Sequence, residues 1–294
     1  MRTEPSDRAP ISVDRLTGLL RRFEIEVTLL DAADPLGMPR AYGDDQASAE
    51  LGYLHVLSRG AIELATLGAA GPPTQIARPS LVLTPAPLPH RISPVERPAL
   101  TCAALRFAHG AEHPLVRALP NPLVVEIDAV PSLAPTLELL VSEGERVRCG
   151  QPLIASRLLE IVLLQLLRWV FDHPDAAAVS PGLARGLSDP GIAASLAAVH
   201  DDPAANWTLA SMARLAAMSR SSYAERFRSL VGTTPAAYVA SYRIALAKQG
   251  LLRGEQVAIL ARELGYASGP SLSRAFTSCT GVAPSAWLRS QRAD

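Results

Sequence analysis

Two segments of this chain say nearly the same thing: LASMARLAAMSRSSYAERF, Leu209 to Phe227, and VAILARELGYASGPSLSRAF, Val257 to Phe276. Aligned, Leu209, Met212, Ala213 and Ala216 fall on Val257, Leu260, Ala261 and Leu264, each set at i, i+3, i+4, i+7. That spacing predicts a short amphipathic helix, and the alanine at the third place lets a neighbouring backbone come close. A turn follows each helix, at Ala217-Met218 and at Gly265-Tyr266-Ala267. Serine then opens the next segment, Ser219 or Ser268, where its hydroxyl can accept from a free backbone N–H. Tyr223, Phe227 and Leu230, like Leu272 and Phe276, are spaced to face inward. The echo runs on through GTTPAAY from Gly232 and GVAPSAW from Gly281, where glycine, proline and an aromatic return at an offset of 49. Each glycine stands where a helix needs a left-handed stop, and each proline where the following helix begins. The unit written twice is therefore helix, tight turn, capped helix, stop: a helix-turn-helix, whose second helix is the one that enters a DNA major groove.

Charge supports a polyanion partner for this half. The total is zero over 294 residues, but residues 1–204 hold 17 Lys+Arg against 24 Asp+Glu, and residues 205–294 hold 11 against 4. A basic region tethered to an acidic one points to nucleic acid for the basic part. Three cysteines, Cys102, Cys149 and Cys279, are too few and too scattered for a disulfide framework and suit a reducing compartment. MRTEPSDRAP lacks the apolar stretch of a secretory signal, and LLEIVLLQLLRWVF is too short and too polar to span a bilayer, so a cytoplasmic protein without membrane contact is expected.

Upstream, VDRLTGLLRRFEIEV opens with a short amphipathic helix pattern, and from about Ile25 to Ile127 strands dominate. Apolar segments such as LGYLHVLSRG, SLVLTPAPLPH and LTCAALRFA alternate with Gly and Pro clusters, the texture of an antiparallel sandwich or barrel. Pro152 to Phe171 reads as a long helix, apolar on more than one side and therefore a candidate dimer helix. DHPDAAAVSPGLARGLSDPG reads as the linker between the halves. The expected organisation is a sensor domain over residues 1–151, a dimerisation helix and linker over 152–188, and the repeated helical domain over 189–294.

MARLAAMSRSSYAERFRSLVGTTPAAYVASYRIALAKQGL followed by ARELGYASGPSLSRAFTSCTGVAPSAWLR resembles the DNA-binding domain of the AraC family of bacterial transcription regulators, over roughly residues 195–290. CAALRF, HPLVRALPNPLV and LLQLLRW are similar to the subgroup with a cupin-like N-terminal half. The resemblance implies an α+β protein: a cupin-like antiparallel β-barrel with a helical linker, then an all-α domain of two helix-turn-helix units joined by a long helix. It implies a homodimer bound to promoter double-stranded DNA, contact with RNA polymerase where it activates, and an N-terminal domain that receives a small-molecule or redox effector.

The connecting helix, about Pro235 to Arg253, spans on the order of 27 Å, against ~34 Å between successive major-groove faces on one side of B-DNA. One chain can thus set Ser219 to Val231 in one groove segment and Gly269 to Cys279 in the next. The groove-facing residues expected in the first reader are Arg220, Ser221, Ser222, Ala224, Glu225 and Arg228, and in the second Gly269, Pro270, Ser271 and Arg274. Arg274 is the best base reader, since guanidinium pairs with guanine O6 and N7. Glu225 can accept from cytosine N4 or pair with Arg228 or Arg220 along its own helix. Arg220, Arg226, Arg228, Arg243 and Arg289 are expected as phosphate clamps or solvated charges rather than base readers. Cys279 is expected packed, and His109 and His113 in a surface loop.

His55, His90 and Cys102 sit on or beside three expected strands. Pointing inward together, two imidazoles and a thiolate would suit Zn²⁺ or a redox-responsive site; ordinary core packing is the plainer reading. A cupin-type metalloenzyme with a DNA-binding appendage is the alternative, and a protein-binding helical scaffold a third. No nucleophile elbow, phosphate loop or double-histidine cupin motif is visible, so no enzymatic activity is expected.

Overall fold

In the computed structural model, residues 13–30, 38–45, 50–69, 71–108, 110–144 and 148–291 are described. The chain divides into two units, one of residues 23–185 and the other of 186–294 together with the N-terminal residues up to Arg22.

The first unit is built on two long strands, β3 (Gly52–Thr66) and β6 (His90–Phe107), paired antiparallel along nearly their whole lengths. Register shifts between Leu57 and Ile62 kink the pair. Gly60 sits in the kink with φ 79°, and a Cβ there would lie 2.1 Å from the Glu96 carbonyl oxygen, so only glycine fits. The kink lets each half of the pair recruit its own neighbours. One half of β6 pairs β1 (Ile25–Leu29) and the other pairs β2 (Arg40–Tyr42). Likewise β3 pairs β4 (Thr74–Ile76) and β5 (Ser80–Thr84), and β5 pairs β7 (Leu123–Glu126). Among the described residues the pairing path runs β1-β6-β3-β5-β7 without closing. β5 is buried at every position, as a central strand of Val and Leu should be.

Packed with this sheet are α2 (Ala134–Gly144) and the 22-residue α3 (Gln151–Asp172), whose Leu159, Val162, Leu166 and Val170 are completely buried. Ser156 on α3 accepts from the Leu29 N–H of β1 at 3.0 Å. The long helix therefore belongs to the sheet unit.

The second unit begins with the short α1 (Thr17–Leu20), whose neighbour Arg22 donates to the carbonyls of His200 and Asp201 at the end of α5 (Pro190–Asp201). The expected linker is more ordered than a linker should be, since α4 (Leu183–Ser188) lies within it and Asp189 caps α5. Then come α6 (Leu209–Leu215), α7 (Arg220–Val231), α8 (Pro235–Leu252), α9 (Val257–Glu263), α10 (Gly269–Thr280) and α11 (Pro284–Ser290). No helix among the described residues is long and apolar enough to cross a membrane.

Candidate nucleic-acid interface

The repetition in the sequence is a repetition in hydrogen bonds. Met218 N–H donates to the Ala213 carbonyl at 2.9 Å, and Tyr266 N–H to the Ala261 carbonyl at 2.8 Å, so both first helices end on the same turn. Ala217 (φ 54°) and Gly265 (φ 74°) occupy the left-handed position of that turn. Ser219 then caps α7 by accepting from Ser222 N–H at 3.2 Å, and Ser268 caps α10 by accepting from Ser271 N–H at 3.3 Å. Gly232 and Gly281 stop the two helices at the same φ of 80°. Behind them Phe227 meets Tyr238 and Phe276 meets Trp287 edge-on, both at 5.8 Å between ring centroids. The two phenylalanines are fully buried.

With the aromatic backs fixed inside, the fronts face outward. On α7, Arg220, Ser221, Ser222, Glu225 and Arg228 are exposed and Ala224 half-buried; on α10, Pro270 and Arg274 are exposed, and Gly269 and Ser271 half-buried. Among the described residues none of Arg220, Glu225, Arg228 and Arg274 takes part in an ion pair. Glu225 therefore lacks the helical partner that one reading gave it. α7 stands as a ridge between two grooves that share Glu225 and Ser229: a cavity of about 670 Å³ bounded by Trp207, Met212, Arg228 and Pro235, and one of about 520 Å³ bounded by Met218, Ser222 and Arg226.

Two arginines expected as phosphate clamps are occupied elsewhere. Arg226 Nε donates to Asp189 at 2.7 Å. Arg243 donates to the carbonyls of Pro203 at 2.7 Å and Ala205 at 2.8 Å, with its guanidinium 5.5 Å from the Tyr266 ring centre. Both are tied to acceptors within the chain, Arg243 half-buried and Arg226 with its side chain still 55% exposed. Cys279 is exposed rather than packed. Leu209 also departs from its expected inward place, being 40% exposed at the first helical position of α6.

In the sheet unit, His55, His90 and Cys102 do come together, joined by Tyr42, which sequence reasoning missed because it lies on a three-residue strand. Their arrangement is a chain. His90 Nδ1 lies 2.6 Å from the Leu88 carbonyl, which can only accept, so that nitrogen carries the proton and Nε2 is the acceptor. His55 Nε2–H must then donate to it, at 2.8 Å. His55 Nδ1 in turn accepts from the Cys102 thiol at 3.0 Å, and Cys102 Sγ accepts from the Tyr42 hydroxyl at 3.2 Å. Every member is neutral. Burial first, and each other's proximity second, hold the His55 imidazole well below its usual range; burial lowers His90 as well. Burial pushes the Cys102 thiol up to about 11 and raises Tyr42 above the ordinary phenol range.

This corrects the zinc expectation. His55 spends both nitrogens within the chain, and among the described residues no three His, Cys, Asp or Glu side chains surround a common point. The three candidates therefore do not fit a metal as they stand. A thiol held neutral and buried is also a poor nucleophile toward oxidants. His113, expected in a surface loop, is completely buried: it accepts from Leu115 N–H and donates to the Phe23 carbonyl. His109 lies outside the described residues.

A curled antiparallel sheet followed by paired helix-turn-helix units defines a class of protein, and comparison with known families agrees. Residues 14–172 match the cupin family model and residues 212–290 a helix-turn-helix domain model. The chain thus belongs to the cupin family in its N-terminal part and joins to it a helix-turn-helix domain of AraC type. It is 35% identical to a putative AraC-like transcription regulator of Streptomyces antibioticus over 60% of this chain and 59% of that one. It is 28% identical to the RCS-specific HTH-type transcriptional activator RclR of Escherichia coli K12, over 78% of this chain and 81% of that one. Among solved structures, the DNA-binding domain of AdpA in complex with target DNA matches 34% of this chain and 90% of that one, at 29% identity and a TM-score of 0.31. The chain spans about three fifths of the length of the Streptomyces relatives it matches.

Proposed function

We propose that this protein is a site-specific double-stranded DNA-binding transcription regulator, in which α7 and α10 enter successive major-groove segments. What supports this reading is the doubled geometry: two helices capped alike, stopped alike and pinned from behind by the same edge-on aromatic pair, each leaving an uncommitted arginine on its front. α8, with 18 residues, is about 27 Å long, short enough to join two helices on one side of a duplex with its ~34 Å groove repeat. Arg220, Ser221, Ser222, Ala224, Glu225 and Arg228 form the first reading surface; Gly269, Pro270, Ser271 and Arg274 form the second. Gly269 and Pro270 offer little hydrogen bonding, so the second helix reads few bases, chiefly through Arg274 on guanine.

The regulator works as a homodimer. On α3, Ile154 and Ile161 are 46% and 43% exposed, and with the half-buried Leu158 and Gln165 they follow a 4-3-4 spacing along one stripe. That is the seam of a two-stranded coil, and a second copy of the same helix is its natural cover. The N-terminal unit receives the signal, a small molecule or an oxidant, and RNA polymerase is the further partner where the response is activation. Selection of bound sequences from random duplexes, with and without zinc and oxidant, tests partner, specificity and signal together. Binding with no dependence on salt, or no enrichment of any sequence, would overturn the reading.

A further inference from the structure

The segment that leaves the sheet unit ends on the first recognition helix. The division of the chain falls between Arg185 and Gly186, and three close approaches to the first helix-turn-helix follow almost at once. A Cβ on Gly186 would lie 2.7 Å from a Val231 methyl, at the C-terminal end of α7. One on Gly191 would lie 3.0 Å from the Met218 methyl and 3.2 Å from the Ala216 carbonyl, at the turn before α7. Between them stands Asp189, whose side chain is 8% exposed. Its two oxygens do different work. Oδ1 accepts from Ile192 N–H at 2.9 Å and starts α5; Oδ2 accepts from both Nε and Nη2 of Arg226, the former at 2.7 Å.

Arg226 follows the exposed Glu225 and precedes the fully buried Phe227 on α7. Tyr223 and Phe227 fix the depth of that helix, and the Tyr223 hydroxyl also donates to Ser195 Oγ on α5 at 2.7 Å. The Asp189 carboxylate adds a lateral hold, which fixes rotation about the helix axis. An exposed ion pair would contribute little. Here the carboxylate is buried, so removing its partner strands a charge away from water, and the contact is kept.

We propose that Asp189 is the positioning residue of α7: one carboxylate ends the connection from the sheet unit, starts α5 and sets the angle at which Glu225 and Arg228 face DNA. A displacement of residues 186–189 is then felt at the reading surface, whatever the signal that causes it. This rests on the reading of α7 as a base-contacting helix.

The test uses the full chain and an operator taken from random-duplex selection. Asp189→Asn keeps an acceptor for the α5 cap and loses the charge; Arg226→Lys, on the half-exposed side of the pair, keeps the charge and loses the planar fork. Both are expected to lower discrimination about tenfold at the base pairs covered by α7, with base preferences at the α10 end unchanged. Without DNA, amide hydrogen exchange should quicken in α7 by about tenfold and stay as it was in α10. Unchanged preferences and exchange in both variants would overturn the proposal, as would an equal loss at both ends, which is the mark of general destabilisation. A wild-type chain with no sequence preference would overturn it at the earlier step, and the exchange arm, needing no DNA, tells these failures apart.

Discussion

Cys102 shows how much one neutral thiol can organise. Its S–H serves the His55 ring and its sulfur serves the Tyr42 hydroxyl, so it is the middle link of a chain whose direction the Leu88 carbonyl fixes. Cys102→Ala leaves a buried ring nitrogen without its donor and a buried hydroxyl without its acceptor. The expected cost is about 1–3 kcal/mol, measured by urea unfolding, while Cys102→Ser, which can still donate and accept, costs less. Equal stability of the alanine variant would mean that the chain does not hold together as drawn. His200 presents a second case, in the last turn of α5. Its Nε2 is 2.7 Å from the Tyr238 hydroxyl, and burial foremost, with Arg22 nearby, lowers its pKa to about 3. Unfolded, the ring takes up a proton near pH 6.5; folded, it stays neutral until about pH 3. The unfolded state therefore binds more protons between those values, and stability that is fully present above pH 6.5 is lost on acidification at about 1.4 kcal/mol per pH unit. His200→Gln should flatten the fall in urea midpoint between pH 6.5 and 4, the remaining slope coming from His55 and His90, which burial also lowers.

At the scale of single elements, the two turns of the repeat solve one problem with different residues. Ala217 holds a left-handed backbone at φ 54° that Gly265 adopts at φ 74° without strain. The alanine is exposed, so replacing it with glycine removes the strain and loses no contact, offset only in part by the extra freedom of the unfolded chain. Ala217→Gly is expected to raise stability by about 1 kcal/mol, seen as a higher melting temperature with DNA affinity unchanged. The reverse change, Gly265→Ala, does more than add strain, because its Cβ would lie 2.2 Å from the Ala204 carbonyl oxygen. The second unit should then lose its seat on the 202–205 loop. These elements also mark what was legible beforehand. Local signals, a serine cap, a glycine stop, an aromatic every fourth residue, foretold α6 to α11 almost to the residue, since they act through neighbours in sequence. The occupation of Arg226 and Arg243 was invisible, for their acceptors lie 37 and 40 residues away. So was the part of Asp189, which fell in the segment read as linker. Of the convergence of His55, His90 and Cys102, only their place on or beside strands was legible; that His90 and Cys102 share β6 and both meet His55, as a chain rather than a ring of ligands, depends on strand course and side-chain angles no pattern encodes.

For the whole molecule the proposed dimer decides how strongly DNA is held. On the proposed reading one chain offers two DNA-reading helices, and the second of them is poor in hydrogen-bonding groups, so a single copy on its own should bind weakly and with modest preference. Two copies joined through α3 turn the second engagement into an intramolecular event, and the gain over one copy is of the order of 10²–10⁴. Ile161→Glu places a charge in the middle of the exposed stripe while leaving the buried face of α3, Val162 and Leu166, untouched. It should sediment as a monomer at micromolar concentration, melt as the wild type does, and lose about 10²-fold in affinity for a two-site operator. Its affinity for an operator reduced to one site should not change. An Ile161→Glu protein that stays dimeric would place the seam elsewhere. One that becomes monomeric and still binds the two-site operator at full strength would show that α7 and α10 of one chain suffice.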